Sequence, residues 1–129
     1  MQEKKTSKLF VYGTLKKGFN NHRIIEGSKY LGMHWLNNYG IFDLGFYPGI
    51  RPRQGGVVYG ELYEIDDELF PRLDRLEGTP YLYTRETEFF HRDDKDNPCC
   101  SGYVYVYASD TSEDWIEDGS WPEKALSAA

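Results

Sequence analysis

The sequence predicts an α+β domain that is predominantly β, and three observations carry that reading. Eleven tyrosines and thirteen glycines stand among alternating apolar runs, a composition that suits strands and tight turns. One segment, around residues 69–76, repeats its leucines at helical spacing. The order along the chain is strands, that helix, then strands again, with no internal repeat, linker or low-complexity tract. A chain of 129 residues has the size of one domain, so residues 1–129 are expected to form a single unit with flexible ends at 1–7 and 122–129.

The elements follow in order. The run LFVY at 9–12 reads as a buried strand. Asn20 or Asn21 suits the cap of a short helix beginning near His22. Residues 29–44 are aromatic and apolar but broken by Asn37 and Asn38, which reads as two strands joined by a tight turn. FYPGIRP follows, and its prolines predict an irregular segment kept out of a central ladder. GVVYGELYEI at 56–65 is a strand that ends in the capping residues Asp66 and Asp67. Leu69, Leu73 and Leu76 are spaced as one helix face. Pro71 is tolerated only within a first turn, which places the helix start near Phe70; Gly78 and Pro80 end it. LYTRETEFFHR and SGYVYVYA are two strands of a hairpin across the polar loop DDKDNPCC. In the second, Val104 and Val106 alternate with Tyr103, Tyr105 and Tyr107. That predicts a valine core face and a tyrosine face that is half-exposed or lines a cavity. The acidic tail from Ser109 onward is expected to pack Trp115 and Trp121 back on the body.

Several function classes fall away. The net charge of −6 and pI near 5.0 oppose a surface that tracks a nucleic-acid backbone. Cys99 and Cys100 are adjacent and cannot form a disulfide framework. They have no base in sequence range, so a structural or incidental role is expected. His22, His34 and His91 lie in different elements with no ligand spacing, so no metal site is expected. The N-terminal MQEKKTSK is polar, and no apolar run nears the roughly 20 residues of a membrane helix. The expectation is a soluble, cytoplasmic protein, monomeric or weakly dimeric, with no membrane partner.

Two stretches carry candidate chemistry. Glu77 ends the amphipathic helix, where the negative end of the dipole and any burial raise a carboxyl pKa toward the range of a general base. Spacing alone fits a solvated glutamate at a helix end more often. Tyr12, Gly13, Thr14 and Leu15 follow the first strand. Glycine there allows close backbone approach, and successive N–H groups make an anion nest. An ordinary strand-ending turn has the same residues. The spacing is not that of a Walker loop.

Taken together, these segments resemble the gamma-glutamylcyclotransferase-like superfamily, in particular its gamma-glutamylamine cyclotransferase branch. The resemblance rests on Tyr12, Gly13, Thr14 and Leu15 with Gly18, Asn21 and His22, on VYGELYEI at 58–65, on LDRLEGTPYLYTR at 73–85, and on IEDGSW at 116–121. It spans about Leu9 to Trp121, nearly the whole chain. Pro71 and the Cys99–Cys100 hairpin are departures outside the motif positions. The resemblance implies a mixed β-barrel with short flanking helices and a cavity between the first turn and Glu77. It implies a reaction without cofactor or metal, in which the α-amine of a small gamma-glutamyl substrate attacks its own γ-carbonyl and 5-oxoproline forms. Glu77 then is the catalytic acid–base; Tyr12, Gly13, Thr14 and Leu15 bind substrate; Tyr83 lines the pocket. Arg85 fits either the pocket or a structural ion pair. Two alternatives share the scaffold: removal of a gamma-glutamyl protecting group from a biosynthetic intermediate, and a non-catalytic small-molecule-binding protein.

Overall fold

The apolar run near the start of the chain becomes the centre of the sheet. The computed structural model describes residues 5–92, 97–110 and 115–122. Its strands are β1 (Thr6–Val11), β2 (Lys29–Asp43), β3 (Pro48–Asp66), β4 (Tyr83–Phe90) and β5 (Cys100–Tyr107). They form one sheet in the order β2-β3-β1-β5-β4. β2 with β3 and β4 with β5 are antiparallel hairpins, and β1 joins them, antiparallel to β3 and parallel to β5. The domain is mostly β with one short helix, as expected, but the ladder is open and does not close into the barrel that the resemblance implies. Its edges nevertheless touch: Trp35 and His91 exchange both backbone hydrogen bonds, at 3.0 and 2.9 Å.

A central strand must bury both faces, which explains why Leu9, Phe10 and Val11 form a continuous apolar run. Phe10 points into one core with Leu36, Val58, Phe90, Val104 and Val106. Leu9 and Val11 point into another with Phe70, Leu73, Tyr83 and Tyr105. The valine face of β5 thus lies in the sheet's hollow, as its alternation predicts. The tyrosine face packs under α1 (Phe70–Leu76), with Tyr105 buried. Asp66 caps the 3-10 turn Asp67–Leu69 by accepting from the Glu68 N–H at 3.0 Å, and α1 continues from it with Pro71 in its first turn.

Four sequence expectations need correction. β1 already begins at Thr6, inside the expected flexible end: Thr6 pairs with Asp66, and the Ser7 hydroxyl donates to Asp67 Oδ1 at 2.6 Å. Asn37 and Asn38 do not turn the chain. β2 continues through them with a register shift, and Asn38 takes a left-handed φ of 64° that asparagine tolerates. The real turn is at 44–47, with Leu44 N–H donating to the Tyr47 carbonyl. FYPGIRP is not irregular, because β3 starts at Pro48. Its prolines fall where β3 has only β2 as a ladder neighbour, since β1 pairs from Glu61 onward. Finally, the helix expected near His22 is a 3-10 turn, Asn20–Ile24, that begins after Phe19 without a side-chain cap.

Residues 1–4 and 123–129 of the expected ends, 93–96 of the hairpin loop and 111–114 of the acidic tail lie outside the described residues. Within them, Trp115 bridges to Phe42, Gly119 accepts from the Tyr59 N–H at 2.9 Å, and buried Trp121 donates to Asp43 at 3.2 Å. A Cβ on Gly119 would lie 2.5 Å from the Val57 carbonyl, and its φ is +75°, so this crossing needs glycine. Among the described residues no helix is long and apolar enough to cross a membrane.

Leu73 is fully buried and anchors α1 against the sheet. Leu73→Ala is expected to lower unfolding free energy by about 2–5 kcal/mol in urea titration. A loss below about 1 kcal/mol would show that α1 is not held by this contact.

Candidate active site

β1 stops pairing with β3 at Val11, and the chain turns through Gly13, Thr14 and Leu15. The Lys16 N–H donates to the Gly13 carbonyl at 3.0 Å and closes the turn. Among the described residues, no hydrogen bond is donated by the backbone N–H of Gly13, Thr14 or Leu15. A Cβ on Gly13 would come within 2.8 Å of the Pro48 ring, so glycine is required there by close approach. Asn21 steadies the turn from the other side. Its side chain donates to Thr14 Oγ1 at 2.9 Å and its N–H to the Thr14 carbonyl at 3.2 Å.

Opposite lies the end of α1. Glu77 is its last capping residue, with its N–H bound to the Leu73 carbonyl at 2.9 Å. Gly78, at φ +65°, takes the left-handed conformation that ends the helix. Both segments open onto one cavity of about 310 Å³. That is the lower end of small-ligand pockets, which run from about 300 to 1,000 Å³. Tyr12, Gly13, Thr14, Leu15, Glu77 and Tyr83 all line it, so the structure brings together the catalytic and substrate-binding candidates of the sequence.

The tyrosines form a neutral wall. The buried Tyr12 hydroxyl donates to the Tyr105 carbonyl at 2.5 Å, and the Tyr83 hydroxyl to the Pro48 carbonyl at 2.6 Å. The Tyr105 hydroxyl donates to Asp74 at 2.7 Å. Burial first, then neighbouring negative charge, pushes all three phenols well above their ordinary value, so they remain protonated donors. Glu77 is the ionisable group left near neutrality. Burial raises its carboxyl from 4.5 to about 7. Among the described residues no ion pair reaches it. Arg85, on β4, is held by Asp74 at 3.2 Å and lies over the Phe70 and Tyr103 rings; it does not line the cavity and is a structural ion pair.

The sequence reading did not assign Asn20, Phe46, Tyr47, Leu76 or Leu82 to the site, and they also line the cavity; so do Asn21, named in the resemblance without a role, and Tyr105, from the face predicted to be half-exposed or to line a cavity. For Phe46 and Tyr47 a signal existed: two aromatics sit between Gly45 and Pro48, in a turn where polar residues are the rule. The structure also gathers a group that spacing could not reveal. The ligand-bearing atoms of His34, Cys99 and Cys100 lie within 4.8 Å of one another, and none of these residues lines the cavity.

A raised carboxyl pKa costs the folded state whenever the group is ionised. Stability therefore falls as pH rises from about 4.5 to about 7 and stays lower above it. Allowing for partial exposure, the cost at pH 8 is about 2 kcal/mol. Glu77→Gln removes it, so the variant is expected to be more stable than the parent at pH 8 by that amount. The difference is expected to vanish near pH 4.5. Equal denaturation midpoints at pH 8 would contradict a desolvated carboxylate.

Comparison with known proteins places this chain in a family. Residues 9–123 match the model of the family described as gamma-glutamyl cyclotransferase, AIG2-like. A Vibrio cholerae protein provisionally named a gamma-glutamylcyclotransferase is 32% identical over 118 residues, covering 90% of this chain and 96% of the relative. The solution structure of YtfP from Escherichia coli is 32% identical, covers 92% of this chain and 98% of YtfP, and superposes with a TM-score of 0.67. The crystal structure of PH0828 from Pyrococcus horikoshii covers 95% of each chain with a TM-score of 0.77; at 24% identity it speaks for the fold. The turn after β1 and the end of α1 both lie within the matched residues, and the chain belongs to the AIG2-like gamma-glutamyl cyclotransferase family.

Proposed function

We propose that the protein is a gamma-glutamyl cyclotransferase that releases 5-oxoproline and a free amine from a small gamma-glutamyl amide. The observation that carries this is the pairing, in one cavity, of undonated backbone N–H groups with a carboxyl poised near pH 7.

The substrate's α-ammonium must lose a proton before its nitrogen can attack. Ionised Glu77 is the base for that step. The freed nitrogen bonds to the γ-carbon, and the γ-carbonyl oxygen takes up negative charge. The N–H groups of Gly13, Thr14 and Leu15 provide donors for that oxyanion or for the substrate carboxylate. As the carbonyl reforms, the bond to the leaving nitrogen breaks. Glu77, now protonated, returns its proton to that nitrogen. The second proton shed by the α-nitrogen follows, so a basic amine leaves as its ammonium ion and no net proton is consumed. Closing a five-membered ring needs the substrate folded and held, which a small walled cavity favours. Neutral phenols from Tyr12 and Tyr83 form that wall without competing for the proton.

Two outcomes are expected. Incubation with gamma-glutamyl dipeptides and gamma-glutamyl amides should yield 5-oxoproline by mass spectrometry, and Glu77→Gln should lower kcat by about 10²–10⁴-fold with the fold intact. With the parent, kcat should rise with pH through a midpoint near 7, so that pH 6 gives about one tenth of the plateau. Full activity in Glu77→Gln, or an acid limb near 4.5, would remove Glu77 from this role.

A further inference from the structure

The seam where β2 meets the β4–β5 hairpin carries a second group of chemistry-bearing side chains, away from the cavity. Trp35 and His91 join the two edges there by paired backbone hydrogen bonds. One residue before Trp35 stands His34, which is only 3% exposed. Across the seam Cys100 opens β5 opposite Phe90, and the Cys99 N–H donates to the Phe90 carbonyl at 2.9 Å. Successive side chains within a strand point to opposite faces, but Cys99 stands just before the strand, and the two sulfurs converge to 3.2 Å. Both cysteines are free thiols. One ring nitrogen of His34 and both sulfurs lie within 4.8 Å of one another. His34 Nδ1 lies 3.0 Å from the Gly32 carbonyl. A carbonyl only accepts, so Nδ1 donates its proton there and the lone pair rests on Nε2. A backbone carbonyl on the second ring nitrogen is a usual partner of a metal-bound imidazole, because it fixes the tautomer and the ring.

We propose that His34, Cys99 and Cys100 form a binding site for one thiophilic d¹⁰ cation of the Zn²⁺ type, with solvent as the fourth ligand. Two sulfurs and an imidazole are donors that select such ions over magnesium and calcium, which take oxygen. In a tetrahedral shell with Zn–S bonds of about 2.3 Å, two sulfurs stand about 3.8 Å apart. The sulfurs therefore part slightly on binding and the imidazole draws in. Cys99 is exposed, which gives the ion an entry and leaves room for water. Each thiol passes its proton to solvent as its S–metal bond forms. Zn²⁺, two thiolates and a neutral imidazole then make an uncharged unit. An uncharged unit suits a place where Lys8 and Arg92 already stand near Cys100. Before binding, burial and the hydrogen bond with Cys99 push the Cys100 thiol up to about 11, so it is a poor nucleophile and the metal displaces its proton. None of the three residues lines the cavity, so the site is separate from the candidate active site. Its ligands come from both sides of the seam. A bound ion therefore ties β2 to the β4–β5 hairpin beside the bridge between Trp35 and His91.

The test titrates the full chain, free of any metal-binding tag and with both thiols reduced, with Co²⁺ and then with Zn²⁺. Co²⁺ is expected to bind once per chain, with thiolate-to-cobalt charge-transfer absorption and the intense visible bands of a tetrahedral ion, and Zn²⁺ is expected to displace it. Cys99 is exposed, so Cys99→Ser should fold normally, checked by circular dichroism. It is expected to bind Zn²⁺ at least about tenfold more weakly, since disturbing even the outer partners of a metal ligand costs that much. Zn²⁺ should raise the thermal midpoint of the parent and leave that of Cys99→Ser nearly unmoved, because a ligand of the folded state stabilises only what it binds. His34 is buried, so its part is read in the parent: nitrogen-15 NMR should show its Nε2 resonance move when Zn²⁺ binds. Absence of thiolate-to-cobalt absorption in the reduced parent would overturn the proposal. So would unchanged Zn²⁺ affinity in Cys99→Ser, or a His34 resonance that ignores the metal.

Discussion

The carboxylate of Glu77 is drawn out of water and given no cation among the described residues, and the rest of the site is arranged around that one electrostatic constraint. A carboxylate usually escapes such a position by finding a basic partner. Here the helix carries a second carboxylate one turn earlier, Asp74, and Asp74 takes the cation. It binds Arg85 and receives the Tyr105 hydroxyl, while Phe70 and Tyr103 hold the guanidinium from its faces. Two acids on one short helix thus have opposite environments. Asp74 is paired and structural. Glu77 lies near tyrosine phenols that stay protonated, and burial holds its own proton to about pH 7. The arrangement sacrifices stability for a reactive group, a common trade at functional sites.

The second half of the site follows from how β1 ends. β1 is the link between two hairpins, so it is buried on both faces and cannot stray along its length. Its ladder with β3 stops at Val11, and the next residues leave the sheet with their N–H groups uncommitted. Tyr12 fixes the exit by reaching across to the backbone of β5, and Asn21 folds the following 3-10 turn back onto Thr14. The C-terminal segment adds a clamp: Trp121 packs on Phe19 and accepts from the Lys16 ammonium through its carbonyl. Rigid strands therefore position a turn that has no ladder of its own.

Local patterns in the sequence carried α1 and the first turn well. The leucine spacing, Pro71 and Gly78 are each sufficient signals of a start, a face and a stop, and the structure has all three where they point. Long-range geometry was not available from such signals. Asn37 and Asn38 have the residues of a turn, but a bulge uses the same left-handed conformation, and only pairing with β3 tells the two apart. Pro48 and Pro52 look incompatible with a strand until one sees that β1 does not reach that part of β3. At the site, the helix-end dipole and burial both suggested a raised pKa for Glu77; burial is the cause, and α1 is only seven residues long. Phe46, Tyr47 and Leu82 were missed because they come from a hairpin turn and from beyond a helix stop, places that share no sequence periodicity. His34 meets Cys99 and Cys100 for a similar reason, through strand pairing rather than spacing.

The claim on which the chemistry turns is that this one carboxyl titrates near neutrality in the resting protein. Carbon-13 NMR of the side-chain carboxyl of Glu77, assigned by comparison with Glu77→Gln and followed across pH, measures it directly. A midpoint near 7 is expected. A midpoint near the ordinary glutamate value of about 4.3 would mean a solvated residue at a helix end and would contradict its role as the base.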